Sequence, residues 1–160
     1  MVVTIRGDII RIVHGGIISM LHDQDMTRAC PCNSGKPFAF CCEPAIEGHK
    51  PAKTAEALMR SRYTAFSLGA VDYLIGTTAP EKRNPEDADI LTEQVKCTNW
   101  VGLEILATAD GTASDNTGMV EFKAAFEADD QSGELYERSN FRREDNQWYY
   151  VDGDVEVSIK

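Results

Sequence analysis

Four cysteines fall within thirteen residues, as Cys30-Pro31-Cys32 and then Cys41-Cys42, with Asn33, Ser34, Gly35 and Pro37 in the loop between them. The pattern is C-x-C-x8-C-C. Asn, Ser, Gly and Pro are the residues that let a backbone double back, so both ends of the loop can meet at one point. Four thiolates around one point are what tetrahedral zinc takes, at ~2.3 Å per Zn–S bond. Phe38 and Phe40 alternate inside the loop and can pack over the closed site. Disulfides are disfavoured: they call for an oxidising compartment, and no clean apolar core here meets a small-residue cleavage site. A C-x-x-C redox pair is absent, and a vicinal disulfide between Cys41 and Cys42 leaves Cys30 and Cys32 without a role. An iron–sulfur cluster takes the same donors and stays open beside one structural zinc ion, as do four unconnected buried thiols.

The stretch resembles the SEC-C motif, the zinc knuckle at the end of the SecA translocation ATPase and in many other proteins. That motif runs Cys-Pro-Cys-Gly-Ser-Gly-Lys, an aromatic, then Cys-Cys or Cys-His. Asn33 stands at a usual glycine, and Asn tolerates positive φ next best. The resemblance makes Cys30, Cys32, Cys41 and Cys42 the ligands of one structural Zn2+. His49 is then a surplus donor, expected to be an exposed linker residue.

One hundred and sixty residues suit one ordinary domain plus the knuckle, and 42 % hydrophobic content is that of a globular protein. The net charge of −10 disfavours nucleic acid, whose affinity rests on Lys and Arg at phosphates. No run approaches the ~20 apolar residues of a membrane span. A cytoplasmic location is therefore expected. Residues 1–27 read as a poorly defined extension: Ile9, Ile10, Ile12, Val13, Ile17 and Ile18 are interrupted by Arg6, Asp8, Arg11, His14 and a Gly pair. The first residue is open among Met1, Met20 and Met26. The knuckle occupies 28–48 and a cone-like α+β domain 52–160.

After Pro44, Gly48 and Pro51, Thr54 is an N-cap for a helix whose apolar stripe is Ala55, Leu58, Met59, Tyr63 and Phe66. Arg62 falls inside that stripe, Arg60 to one side, and Gly69 stops the helix. A second helix is expected over 70–77. A third starts at Asn84-Pro85, with a seam of Ala88, Leu91 and Val95. From Trp100 the period becomes two, predicting strands at 100–107, 118–127 and 134–143. A hairpin at Glu144–Gln147 leads into Trp148–Val151, and Val155, Val157 and Ile159 suit a final edge strand. Helices first and a meander afterwards predict an α+β fold, with helices packed on a curved antiparallel sheet.

That order resembles the nuclear-transport-factor-two-like cone. Leu58–Phe66, Asn99–Leu103, Glu137–Phe141 and Trp148–Gly153 narrow the resemblance to the bacterial YchJ family. It covers about Arg28 to Asp154, with Asn140 in place of an expected Arg and Asn146 in place of Gly. The resemblance implies a SEC-C knuckle followed by a cone-like domain, and it fixes architecture rather than activity.

Arg62 and Glu137 are candidates for a buried ion pair or the polar end of a pocket, and Tyr63, Asp72 and Tyr73 for pocket lining. Cys97 reads as a small buried residue. No Ser–His–Asp order, phosphate-cradling glycine loop or open three-ligand metal site is readable, so no enzyme activity is assigned. The leading expectation is a protein-interaction module docking through Lys36, Phe38 and Phe40. By resemblance to SecA, whose knuckle contacts the SecB chaperone and the ribosome, the partner is chaperone- or ribosome-associated. The alternative is small-molecule binding, or a lyase/isomerase-type enzyme, in the cone cavity.

Overall fold

The computed structural model describes residues 2–5, 8–13, 16–20 and 26–160. The stretch read as an N-terminal extension contains three short strands, β1 (Val2–Ile5), β2 (Asp8–Val13) and β3 (Gly16–Met20), paired antiparallel in that order. Met1, His14 and His22 lie outside the described residues.

Past the cysteine loop come α1 (Glu43–Ile46), α2 (Ala55–Leu68), α3 (Val71–Gly76) and α4 (Asp87–Cys97). The α2 ends are set as its sequence predicts. Thr54 accepts from the Ala57 N–H at 3.0 Å, a cap worth about 1 kcal/mol, and Gly69 turns left-handed at φ 78°. The α4 start differs from expectation. Asn84 and Pro85 form a turn in which the Asp87 carboxylate accepts from the Asn84 N–H, and the helix begins only at Asp87. No residue of α4 is fully buried, so its Leu91–Val95 seam is only lightly covered.

Four strands follow as a meander, β4 (Asn99–Asp110), β5 (Thr117–Ala128), β6 (Gln131–Glu144) and β7 (Gln147–Ile159). Two turns are two-residue connections with both residues at positive φ, Asp129-Asp130 (49°, 63°) and Asp145-Asn146 (49°, 63°). That conformation matches the twist of the flanking strands, and Asp and Asn tolerate it. Asn146 thus does the work of the glycine expected there. The separate edge strand expected at Val155–Ile159 is instead the continuation of β7, past a register shift opposite Asn140/Phe141. Further shifts in β4, at Trp100/Gly102 and Ile105/Ala107, bend the sheet.

The concave face of this bent sheet receives α2. Leu58, Met59 and Tyr63 pack with Leu103, Val120, Phe122, Phe141 and Trp148 in one core. Each fully buried aliphatic side chain there contributes roughly 1.5–3 kcal/mol. Trp148 is 1 % exposed and its indole donates to the Lys53 carbonyl at 3.1 Å. The start of α2 meets the β4–β5 connection where the Ala55 N–H donates to Gly111 at 2.9 Å. Gly118 lies so close that a Cβ there would stand 2.5 Å from the Gly111 Cα.

Candidate metal centre and cone cavity

The cysteine loop folds on its own backbone first. Cys30 N donates to Lys36 O (3.0 Å) and Phe38 N to Arg28 O (2.7 Å), closing a small hairpin. Asn33 (φ 59°) and Gly35 (φ 81°) take the left-handed turns within it. Cys41 follows a single 3₁₀ turn at Phe38–Phe40, and Cys42 caps α1. The four Sγ atoms then lie within 4.8 Å of one another, with Cys32–Cys41 at 3.6 Å and Cys41–Cys42 at 3.8 Å. A tetrahedron with ~2.3 Å metal–sulfur bonds has edges of ~3.8 Å, so the sulfurs are spaced to hold an ion. Hydrogen bonds from Cys30 and then Cys42 hold the Cys32 thiol far below the ordinary thiol range. The same contacts, Cys30 first, push Cys42 up, and burial raises Cys41.

Around the sulfurs stands a ring of polar groups. The Ser34 hydroxyl is 3.2 Å from Cys41 Sγ, the Thr64 hydroxyl 3.8 Å from Cys30 Sγ, and Arg60 Nη1 donates to the Cys32 carbonyl at 2.8 Å. Arg60 and Thr64 come from α2, so the helix that lines the cone also braces the cysteine loop. Asn33 reaches the Leu103 carbonyl of β4 at 3.3 Å. Cys30, Cys32, Phe38 and Cys42 belong to the same apolar cluster as Leu58 and Trp148. The expected docking surface is therefore corrected. Phe38 is buried under the Arg28 guanidinium, 5.3 Å from its ring centre, and only Lys36 and Phe40 (63 % exposed) face outward. His49 is exposed outside the sulfur group, and Cys97, expected inside, is exposed too.

On its other side α2 borders a cavity of about 390 Å³ under the sheet. The walls are mostly apolar and rich in aromatic rings. Trp100 is the hub, with Tyr63, Phe66 and Phe126 ring centres at 6.2, 6.4 and 5.7 Å. Phe122 and Phe141 continue the wall, and Gln94 and Thr98 bring the end of α4 to the opening.

The polar end of this cavity is built by Arg62, Glu137, Ser139 and Tyr150. A direct Arg62–Glu137 ion pair is not formed, because Tyr150 stands between the two. Its ring lies 4.7 Å from the Arg62 guanidinium carbon, and its hydroxyl donates to Glu137 Oε1 at 2.7 Å. Burial, and then the hydrogen bond to Glu137, push the Tyr150 phenol up, so it stays a donor. Arg62 Nη1 is anchored by Leu74 O (2.8 Å), Thr77 Oγ1 (2.7 Å) and Thr78 Oγ1 (3.4 Å). Burial lowers this guanidinium to about 10. Gly153 makes room for the carboxylate, since a Cβ there would meet Glu137 Oε1 at 2.2 Å.

Tyr63 lines the cavity as expected, but Asp72 and Tyr73 do not. Asp72 is exposed, and both border a separate groove beside α1, where the Tyr73 hydroxyl meets the Ser61 hydroxyl at 2.7 Å. Their place on α3 turns them away from the sheet. The sequence reading missed Tyr150 and Trp100 as cavity residues. Period two would have placed Tyr150 on the face of Trp148. Nothing in the α2 sequence marks Arg60 as a brace for the metal loop.

Comparison with known proteins matches two stretches of the chain. Residues 26–44 match the model of the SEC-C motif, and residues 54–153 that of the YchJ middle, nuclear-transport-factor-two-like domain. A UPF0225 protein of Geobacter sulfurreducens is 44 % identical over 80 % of this chain and 80 % of its own length. One from Vibrio vulnificus is 41 % identical over 80 % and 75 %. The solution structure of a SEC-C motif containing protein from Rhodopseudomonas palustris matches with TM-score 0.73 and 34 % identity, covering 79 % of this chain and 98 % of that one. A crystal structure of another, from Psychrobacter arcticus, matches with TM-score 0.69 and 31 % identity, covering 86 % and 88 %.

Proposed function

The chain belongs to the YchJ family, and from that premise we propose that it is a zinc-stapled protein that binds a small molecule inside its cone. Zinc is the ion this donor set favours. Four cysteines leave no open coordination position, and closed four-thiolate sites fold chains rather than activate water. The metal loop is thus a clamp on the outer side of α2. The observation that carries the binding reading is the cavity on the inner side, roomy, aromatic-walled and furnished with converging polar groups at one end. Such an arrangement is the usual anatomy of a ligand site. A packed cone would have left no space and no reason to bury an arginine.

The test is native mass spectrometry of freshly purified protein, followed by organic extraction. One small molecule per chain is expected, together with one zinc ion. Ala124→Phe, which fills the cavity from β5, should lose the small molecule and keep the metal. A protein that carries no organic ligand, and that no metabolite panel stabilises, would end this reading.

The exposed Phe40 favours a second reading, docking of a protein partner on the knuckle rim beside Lys36. The partner would be chaperone- or ribosome-associated, as at the related SecA knuckle, in the reducing cytoplasm that free thiols require. Phe40→Ala leaves the buried Phe38 untouched and should abolish capture of such a partner; capture that survives it excludes this surface.

A further inference from the structure

Resting on the cavity reading above, we infer that the ligand is an uncharged, flat, apolar molecule carrying a hydrogen-bond acceptor and a donor side by side at one end. An amide, an enol or a hydroxy-ketone has that end group.

The argument starts with what the cavity leaves unspent. Arg62 commits Nη1 to three acceptors, but among the described residues no acceptor meets its Nε or Nη2. Glu137 uses Oε1 for Tyr150, and no described donor meets Oε2. Ser139 is 1 % exposed, lines the cavity, and its hydroxyl bonds to no other described residue. Two donor nitrogens, one carboxylate oxygen and one hydroxyl therefore remain at the polar end of a largely apolar cavity. A ligand that displaces water from these groups must replace its hydrogen bonds, and the economical occupant supplies both kinds at once. An acceptor is needed for Arg62 and a donor for Glu137.

Charge decides between an ion and a neutral molecule. Among the described residues, Arg62 and Glu137 are the only groups of opposite formal charge lining the cavity, and they cancel. Tyr63 and Tyr150 stay protonated, both pushed up by burial. An incoming carboxylate would give the partly buried cavity a net negative charge and face the Glu137 carboxylate. A neutral ligand keeps the balance. Its body is specified by the walls, where Trp100, Phe122 and Phe126 offer ring faces and edges to a flat hydrophobe.

Three probes separate the elements of this inference: 2-naphthamide, 2-naphthoate and 2-methylnaphthalene, which share a body and differ at one end. Each is titrated into zinc-loaded protein while the Trp100 indole N–H signal is followed by NMR. The amide is expected to bind about tenfold or more tighter than either of the others. Glu137→Gln leaves Arg62 as the sole charge, so 2-naphthoate should become the tighter ligand, with the melting temperature confirming an intact fold. Tighter binding of 2-naphthoate to the natural protein overturns the neutral class while leaving the cavity reading standing. Equal binding of 2-methylnaphthalene overturns polar recognition at Arg62 and Glu137. No perturbation of Trp100 by any probe overturns the inference and the cavity reading together.

Discussion

Arg60 donates to the Cys32 carbonyl at 2.8 Å, binding the middle of α2 to the turn that carries the first two sulfurs. Its Nε is held by Glu56 at 3.2 Å, one helical turn earlier, so the guanidinium is fixed before it reaches the loop. Partners one shell beyond a metal ion position its ligands, and their loss commonly costs 10–100-fold in affinity. Arg60→Met should weaken metal retention by about that factor with little change in secondary structure. Competition with a chromophoric chelator measures it; retention equal to that of the natural protein would show that the loop needs no brace.

The apolar cluster is continuous from Cys32 and Phe38 to Trp148. Removing the metal should therefore destabilise the cone and not only the knuckle. At free metal a thousandfold above the dissociation constant, binding contributes about 4 kcal/mol to folding. Chelation, or Cys41→Ser, should lower a single cooperative melting transition accordingly. Two separate transitions, with the upper one unmoved by chelator, would refute a shared core.

Gly118 touches the Gly111 backbone and Ala55 at once. A Cβ would stand 2.5 Å from one Cα and 2.9 Å from the Ala55 methyl, and neither backbone can rotate away. Gly118→Ala should cost about 3 kcal/mol, at the upper end of overpacking penalties, or roughly 6–12 °C in melting temperature. A melting curve within about 2 °C of the natural one would show that α2 and the hairpin separate easily.

Tyr150→Phe keeps the ring against Arg62 and removes the donor to Glu137. A hydrogen bond to a charged acceptor is worth about 1.5–3 kcal/mol, and the carboxylate is left without its only described partner. Denaturant melts should show a loss in that range. An unchanged midpoint would mean that water serves Glu137 equally well.

Glu81 pairs with Arg142 through both oxygens, one bond at 2.8 Å, and this holds its carboxyl down at about 2. The folded value is depressed below the unfolded one, so the stabilisation is complete above the ordinary carboxylate range. It fades as pH falls from about 4.5 to about 2. The pair is at the surface, so its effect is small and sensitive to salt. Glu81→Gln should melt below the natural protein at pH 7, the gap narrowing as pH falls and closing below about pH 2; a gap of constant size across that range contradicts the pairing.

Much of this was legible in the chain, and the reasons differ by element. The sulfur quartet could be read because its ligands are near neighbours in sequence and the loop residues dictate the turn. Thr54 and Gly69 marked α2 because caps are local chemistry. Val120, Phe122, Ala124 and Phe126 declared their face by alternation alone. Arg62 and Glu137 were found, but not their relationship, because Tyr150 enters between them from a strand whose register depends on a shift near Asn140. Phe38 was misread for a similar reason: whether a loop aromatic faces water depends on Arg28 and on the helix it meets. Asp72 and Tyr73 were misplaced because helical spacing gives a face without saying which neighbour that face meets.

The lightly seated α4 has a consequence for timing. Gln94 and Thr98 stand at the mouth, and swinging their helix outward uncovers little greasy surface, since none of its residues is fully enclosed. On the proposed ligand-binding reading, α4 is thus the element whose displacement would admit an occupant at least cost to the sheet and α2. If the cavity takes a ligand as proposed, hydrogen exchange in Asp87–Cys97 should slow when it is occupied.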